Sequence, residues 1–269
     1  MACPRSIGTI TRRRISHEKR IGPLKSKTGS PPTPSPPFLY ARSSQASPDR
    51  IEPPLPSYPH RPIIAADALI LKLTAAFGCA GFALLAMQSF FQDWNRALAG
   101  LIYGATLAAS SVASMVYNRY FRHVAGSRGN RNWRMLDHIA IFLLIAGTYT
   151  PFAWIGFRDG GGYLLPLVWA LAGIGIALKF ILKFRFPILF VALYMAMGWV
   201  VVIGADHLFS DLDPVVLGLL VAGGVIYTVG VLFHLLKNWV WYSAVWHGFV
   251  LTASVVHFVA IWGFILPAA

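Results

Sequence analysis

Charge is what this sequence has least of: 12% of its 269 residues are Asp, Glu, Lys or Arg, where a soluble domain carries about 25%. Half of the expected water-facing surface is therefore missing. A chain that is 56% hydrophobic, with mean hydropathy +0.59, turns its outer surface to lipid instead. Cysteine is nearly absent too. Cys3 and Cys79 form no CxxC or zinc-finger spacing, which excludes a disulfide framework and a thiolate metal site. Any metal site has to be built from His, carboxylates and hydroxyls. The first 65 residues lack an apolar h-region, which excludes a secretory signal peptide. The formal charge of +13 does not indicate nucleic acid, because the basic residues flank hydrophobic runs and form no interleaved aromatic–basic surface. Membrane lipids are the expected partners; the sequence identifies no protein partner.

What is present divides at about residue 65. Residues 1–65 hold 11 of the 23 Lys and Arg, with Arg12-Arg13-Arg14 and a Pro/Ser-rich stretch at 31–37. So little apolar surface cannot offset the entropy of ordering, and the segment reads as a disordered basic tail. It is Arg/Ser-rich and acid-poor like an organellar transit peptide, but its prolines oppose the amphipathic helix such a peptide needs. A cytoplasmic tail or a mis-assigned start codon fits better. Residues 66–269 form hydrophobic runs at regular intervals, with spans placed at 68–91, 98–119, 136–157, 162–182, 186–205, 214–235 and 242–266. Each approaches the ~20 residues that cross about 30 Å of hydrocarbon. The fold class is all-α: a polytopic membrane protein with a seven-transmembrane-helix bundle.

The loops set its orientation. The tail, the 119–135 loop (Arg119, Arg122, Arg128, Arg131, Arg134), the Lys179/Lys183/Arg185 turn and the Lys237 turn are basic. The alternate loops hold Asp93, Asp159, Asp206, Asp211 and Asp213, with only Arg96 and Arg158 as cations. The positive-inside rule then puts the N-terminus in the cytoplasm and the C-terminus outside. Trp94, Trp133, Trp154, Trp239, Trp241 and Tyr242 fall near span ends, where aromatic rings favour the interface.

Polar groups inside spans are costly, so they mark where chemistry could reside. Ser114 and Asn118 stand at i and i+4 near the end of the second span. Asp137 opens the third, and Ser243 and His247, again i and i+4, open the seventh. Each pair shares a helical face. The expected topology brings all five to one depth, where they could form a metal or proton-transfer site. The same residues allow a plainer account. Asp137 could cap the third helix, His247 could be a satisfied interior histidine, and the serines could serve helix packing. His257 lies about 15 Å deeper and some 80° round the helix from His247, so it belongs elsewhere. His138 points about 100° away from Asp137, toward another helix. His234 is expected at the interface and Lys72 to snorkel. His207, beside Asp206, falls on the opposite side of the membrane. Gly147-Thr148-Tyr149-Thr150-Pro151 reads as a structural kink whose threonines satisfy freed carbonyls.

The stretch from Leu136-Asp137-His138 through Gly147-Thr148-Tyr149-Thr150-Pro151-Phe152 resembles the third-helix signature of bacterial hemolysin III proteins. These are grouped with the progestin and adipoQ receptors. Val245-Trp246-His247-Gly248-Phe249-Val250, followed by His257-Phe258, is similar to that family's seventh helix. Ser114-Met115-Val116-Tyr117-Asn118 resembles its second-helix motif of a Ser followed four residues later by a His. The resemblance covers residues 66–266 and implies seven helices with a cytoplasmic N-terminus, in a bacterial inner (plasma) membrane. It also implies a zinc near the cytoplasmic side, held by one second-helix His and a seventh-helix HxxxH pair, with the third-helix Asp near the metal-bound water. Here Asn118 and Ser243 occupy two of the three His positions, and only His247 keeps its place. An amide and a hydroxyl are poor replacements, so zinc is expected to bind weakly at best.

Three functions follow as expectations. One is a family membrane protein with a divergent, impaired zinc site and receptor-like or stability-modulating action. Another is a metal-dependent lipid amide hydrolase, ceramidase-like, with Asp137 and Ser114 as candidate catalytic residues, Asp137 as general base and His247 as metal ligand. The third is the pore-forming cytolysin that the family name suggests. No span carries a polar stripe and no amphipathic insertion segment is present, so physical support for a pore is slight.

Overall fold

The computed structural model describes residues 61–124, 126–157, 161–204 and 211–267. The tail up to residue 60, and Asp206 and His207, lie outside the described residues. Within them, all regular structure is helical: α1 (Arg61–Ser89), α2 (Trp94–Val116), α3 (Arg128–Pro151), α4 (Leu164–Leu182), α5 (Pro187–Gly198), α6 (Pro214–Leu235) and α7 (Tyr242–Ala260). Six helical segments are long and apolar enough to cross a membrane; the α5 segment is shorter. The protein is a multi-pass, all-α membrane bundle. Large apolar side chains such as Leu69, Met87, Ile181, Ile188 and Leu232 accordingly point outward.

The helices close a ring in chain order, each packing on the next and α7 returning to α1. Side-chain contacts fix the directions. Residues early in α1 meet residues early in α7, through Asp67 and His247. The α1–α2 turn meets the far end of α7, where Gln92 donates to Leu266 O and Arg96 to Ile265 O and Pro267 O. So α1 and α7 run the same way, as an odd number of passes requires. One end of the ring carries Arg119, Arg122, Arg134, Lys183, Arg185 and Lys237; it is called the basic end below.

Local chemistry explains several boundaries. Asp93 caps α2 by accepting from Asn95 N and Arg96 N, and Asp213 caps α6 through Val215 N. Ser127 caps α3 through Asn130 N. The third helix thus begins eight residues before the expected 136, and Asp137 lies well inside it, so the capping account of Asp137 does not hold. Helix α1 likewise begins early, at Arg61, so residues 61–65 are helical and belong with the first helix rather than with the tail. Lys183 turns the chain out of α4 at φ +53°, and Pro187 opens α5 with its fixed φ.

The fifth span departs most from its expected form. A continuous span over 186–205 gives way to a 12-residue α-helix and a 3₁₀ segment, Val200–Gly204. The break strands backbone groups in an apolar setting, and Tyr149 of α3 resolves this. Its hydroxyl donates to Gly198 O at 2.8 Å and accepts from Val201 N at 2.9 Å. Around Pro151, Thr148 and Thr150 hydroxyls donate to Leu144 O and Ala146 O rather than to Gly147 O, the carbonyl that the proline frees, and a π-turn over Phe152–Gly156 follows. Close approach of helices requires glycine at several places, two of which show it well. A Cβ on Gly147 would lie 2.0 Å from Thr106 Oγ1, and one on Gly223 would lie 2.1 Å from His257 Nε2.

Candidate functional site

The five polar residues singled out by spacing converge at the basic end. Ser114 and Asn118 come from the end of α2, which passes there into a π-turn over Tyr117–Phe121. Such turns place an extra residue in the helix and re-aim side chains. Asn118 Nδ2 donates to Ser114 O at 3.0 Å and reaches Ser114 Oγ at 3.4 Å. The Ser114 hydroxyl and His247 of α7 both lie within electrostatic reach of the Asp137 carboxyl of α3. Ser243 and His247 are both buried in α7.

Two further residues organise the cluster. Asp67 of α1 meets His247, carboxylate Oδ1 to imidazole Nδ1, at 2.7 Å, and its Oδ2 accepts from Ser243 Oγ at 3.3 Å. Arg122, just past the π-turn, donates from Nη1 to Asn118 Oδ1 at 3.2 Å and to Ser243 Oγ at 2.9 Å. Its Nη2 donates to the Tyr242 hydroxyl. Arg122 also lies within electrostatic reach of both Asp67 and Asp137. A small cleft opens beside this cluster, lined by Ile63, Ile64, Asp67, Asn118, Arg122 and His123. His123 stands outside the spans. Partial burial, with Arg122 and Arg119 nearby, holds its imidazole below the ordinary 6.5 against the opposing pull of Asp67.

Sequence reasoning treated Arg122 only as a loop cation and passed over Asp67. Both carried a signal. Asp67 is the lone carboxylate of the first helix, and Ser114, Asn118 and Arg122 repeat at i, i+4 and i+8 on one helical face.

The remaining histidines serve other contacts. His138 faces α4 and α5: its Nδ1 meets Arg134 O at 2.6 Å, its ring lies edge-on to Phe184, and its carbonyl accepts from Tyr194. His257 sits mid-bundle with Nε2 3.2 Å from Leu220 O, near Tyr227 and Phe152 and away from the cluster. His234 packs on Tyr242 and Trp246 at the basic end of α6.

The arrangement commits His247 Nδ1 to a carboxylate, so proton transfer or ligation falls to Nε2. Asp137 and Ser114 supply a carboxyl and a hydroxyl at the same depth. Such a cluster at one end of a polytopic helical ring defines the class of protein. The haemolysin-III related family matches residues 69–258, and the chain belongs to that family. It is 40% identical over 136 residues to "Hemolysin-3" of Bacillus cereus, covering 50% of this chain and 62% of that protein. With "Hemolysin-3 homolog" of Bacillus subtilis (strain 168) it shares 40% identity over 125 residues, 46% of this chain and 59% of the relative. The chain thus spans about six-tenths of the length of these bacterial relatives. "Monocyte to macrophage differentiation factor" of Homo sapiens is 28% identical over 179 residues, 64% of this chain and 72% of the relative. No solved structure matches the chain.

Proposed function

We propose that this chain is a metal-independent, receptor-like member of its family, in a bacterial plasma membrane. Its basic-end cluster binds and positions; it does not hydrolyse. One observation carries this reading. The two positions that the family resemblance assigns to zinc-binding histidines are Asn118 and Ser243, and both spend their oxygens on Arg122. This donor set does not fit zinc, which favours imidazole, thiolate and carboxylate. A dication would also meet the guanidinium. Unit charges 4 Å apart interact by about 4 kcal/mol at an effective dielectric of ~20, so Arg122 opposes a dication by about 8 and offsets the pull of one of the two nearby carboxylates.

Zinc content per chain of detergent-purified protein tests the reading, alongside fatty-acid release from ceramide. We expect no stoichiometric zinc and no chelator-sensitive release, in the parent or in Asp137→Ala and His247→Ala variants. One observation favours a second reading: Ser114, Asp137 and His247 do converge, as a lipid amide hydrolase needs. About one zinc per chain, with release that a chelator and Asp137→Ala both abolish, would put that hydrolase first.

A further inference from the structure

Two carboxylates, Asp67 and Asp137, stand at one end of the helical bundle, the first bonded to His247 and the second within its electrostatic reach. Carboxylates in such a setting need a compensating cation, because an unpaired ion in apolar surroundings is strongly disfavoured. An arginine near a span end ordinarily extends to the lipid headgroups. Arg122 does the opposite. Its guanidinium turns inward and joins the end of α2 to the start of α7 through Asn118, Ser243 and Tyr242.

We infer that the Arg122 guanidinium is the resident cation of this site, a covalently attached substitute for a divalent ion between α2 and α7. This deepens the metal-independent reading above and rests on it. The same nitrogen, Nη1, draws together Asn118 Oδ1 and Ser243 Oγ, one from each helix, as a bound ion would draw together two ligands. The forked guanidinium reaches Tyr242 with its other nitrogen, which a lysine point charge cannot reproduce. Replacement of two imidazoles by an amide and a hydroxyl follows from this. A guanidinium is a donor only, so its neighbours must be acceptors, and Asn and Ser offer oxygens. The consequence is regulatory. The site's charge is constitutive, and its structure does not respond to free zinc or to chelation.

Zinc uptake and thermal unfolding of four full-length, detergent-purified proteins test the inference. These are the parent, Asn118→His/Ser243→His, that double with Arg122→Gln added, and that double with Arg122→Lys added. The Arg122→Gln triple should take up about one zinc per chain and gain Tm on zinc addition, while the double and the Arg122→Lys triple bind at least about tenfold more weakly. The parent should hold no zinc, and its Tm should ignore chelator. Equal zinc affinity in the double and the Arg122→Gln triple overturns the inference but leaves the metal-independent reading of the parent intact. An Arg122→Gln triple that stays unfolded with zinc present overturns it as well. Stoichiometric zinc in the parent overturns both.

Discussion

Asp67 lies less than two turns into α1, and its carboxylate binds two residues of α7 that are 176 and 180 positions away in the chain. Contacts of this kind fix how the first and last helices register. Asp67→Ala removes both and leaves the His247 ring with a buried, unpaired nitrogen, which should cost about 1–3 kcal/mol. Thermal unfolding in detergent would show this as a lower Tm. His247→Ala added to it should cost little more, because the pair acts as a unit; fully additive losses would separate the two. His123 gives a second test at this scale. Its pKa is depressed by burial and by the neighbouring arginines, which favours the neutral imidazole. Removing a positive neighbour favours the imidazolium, so Arg122→Gln should raise the His123 midpoint in an NMR titration. The sign for stability follows: the folded state takes up this proton less readily than the unfolded chain. Stability from this group is therefore lost as pH falls through the ordinary imidazole range. A midpoint that Arg122→Gln leaves in place would mean the guanidinium does not act on His123.

Among the elements, α5 is the one whose form depends on a neighbour. Its residues are as apolar as those of the other helices, yet it stops at Gly198, and Tyr149 from α3 supplies both the donor and the acceptor that the break requires. Tyr149→Phe keeps the ring and removes only the hydroxyl. It should lower stability by about 1–3 kcal/mol, since two backbone groups lose partners where water is scarce. Hydrogen exchange at Val201 should quicken in the same variant. Protection equal to the parent would mean that the 3₁₀ segment is satisfied in some other way. The π-turn after α2 is an element-scale feature of the site itself. It lets Asn118 reach back to Ser114 while Arg122 turns toward α7.

At the scale of the whole molecule, the ring is closed at both ends by side chains on backbone or on side chains. Arg96 and Gln92 bind the carbonyls that end α7, and Asp67 and Arg122 bind its beginning. The interior between them is filled by Tyr103, Leu107, Phe142, Phe152, Val168, Phe258 and Ile261, all buried. These side chains leave the described interior filled and mostly apolar, with Thr150, Lys179, Ser254 and His257 among the buried polar groups. Purified protein in liposomes should therefore release no trapped dye beyond empty-vesicle controls, and dose-dependent leakage would restore the pore-forming reading.

The sequence alone determined the class of molecule and much of its plan. Scarce charge and regular apolar runs dictate helices in lipid, because backbone groups there must pair within each segment. Loop cations gave an expected direction of passage, and i, i+4 spacing put Ser114 with Asn118 and Ser243 with His247 on shared faces. Periodicity could also separate His257 and His138 from the cluster, since helix geometry is local. It could not say which helices are neighbours, and everything decided by that came from the tertiary structure. Asp67 enters the site because α1 packs on α7, and Arg122 enters because a π-turn re-aims the end of α2. Tyr149 can hold a broken fifth helix because α3 lies beside it. In each case the partner is distant in sequence, and the contact depends on packing that no local pattern encodes.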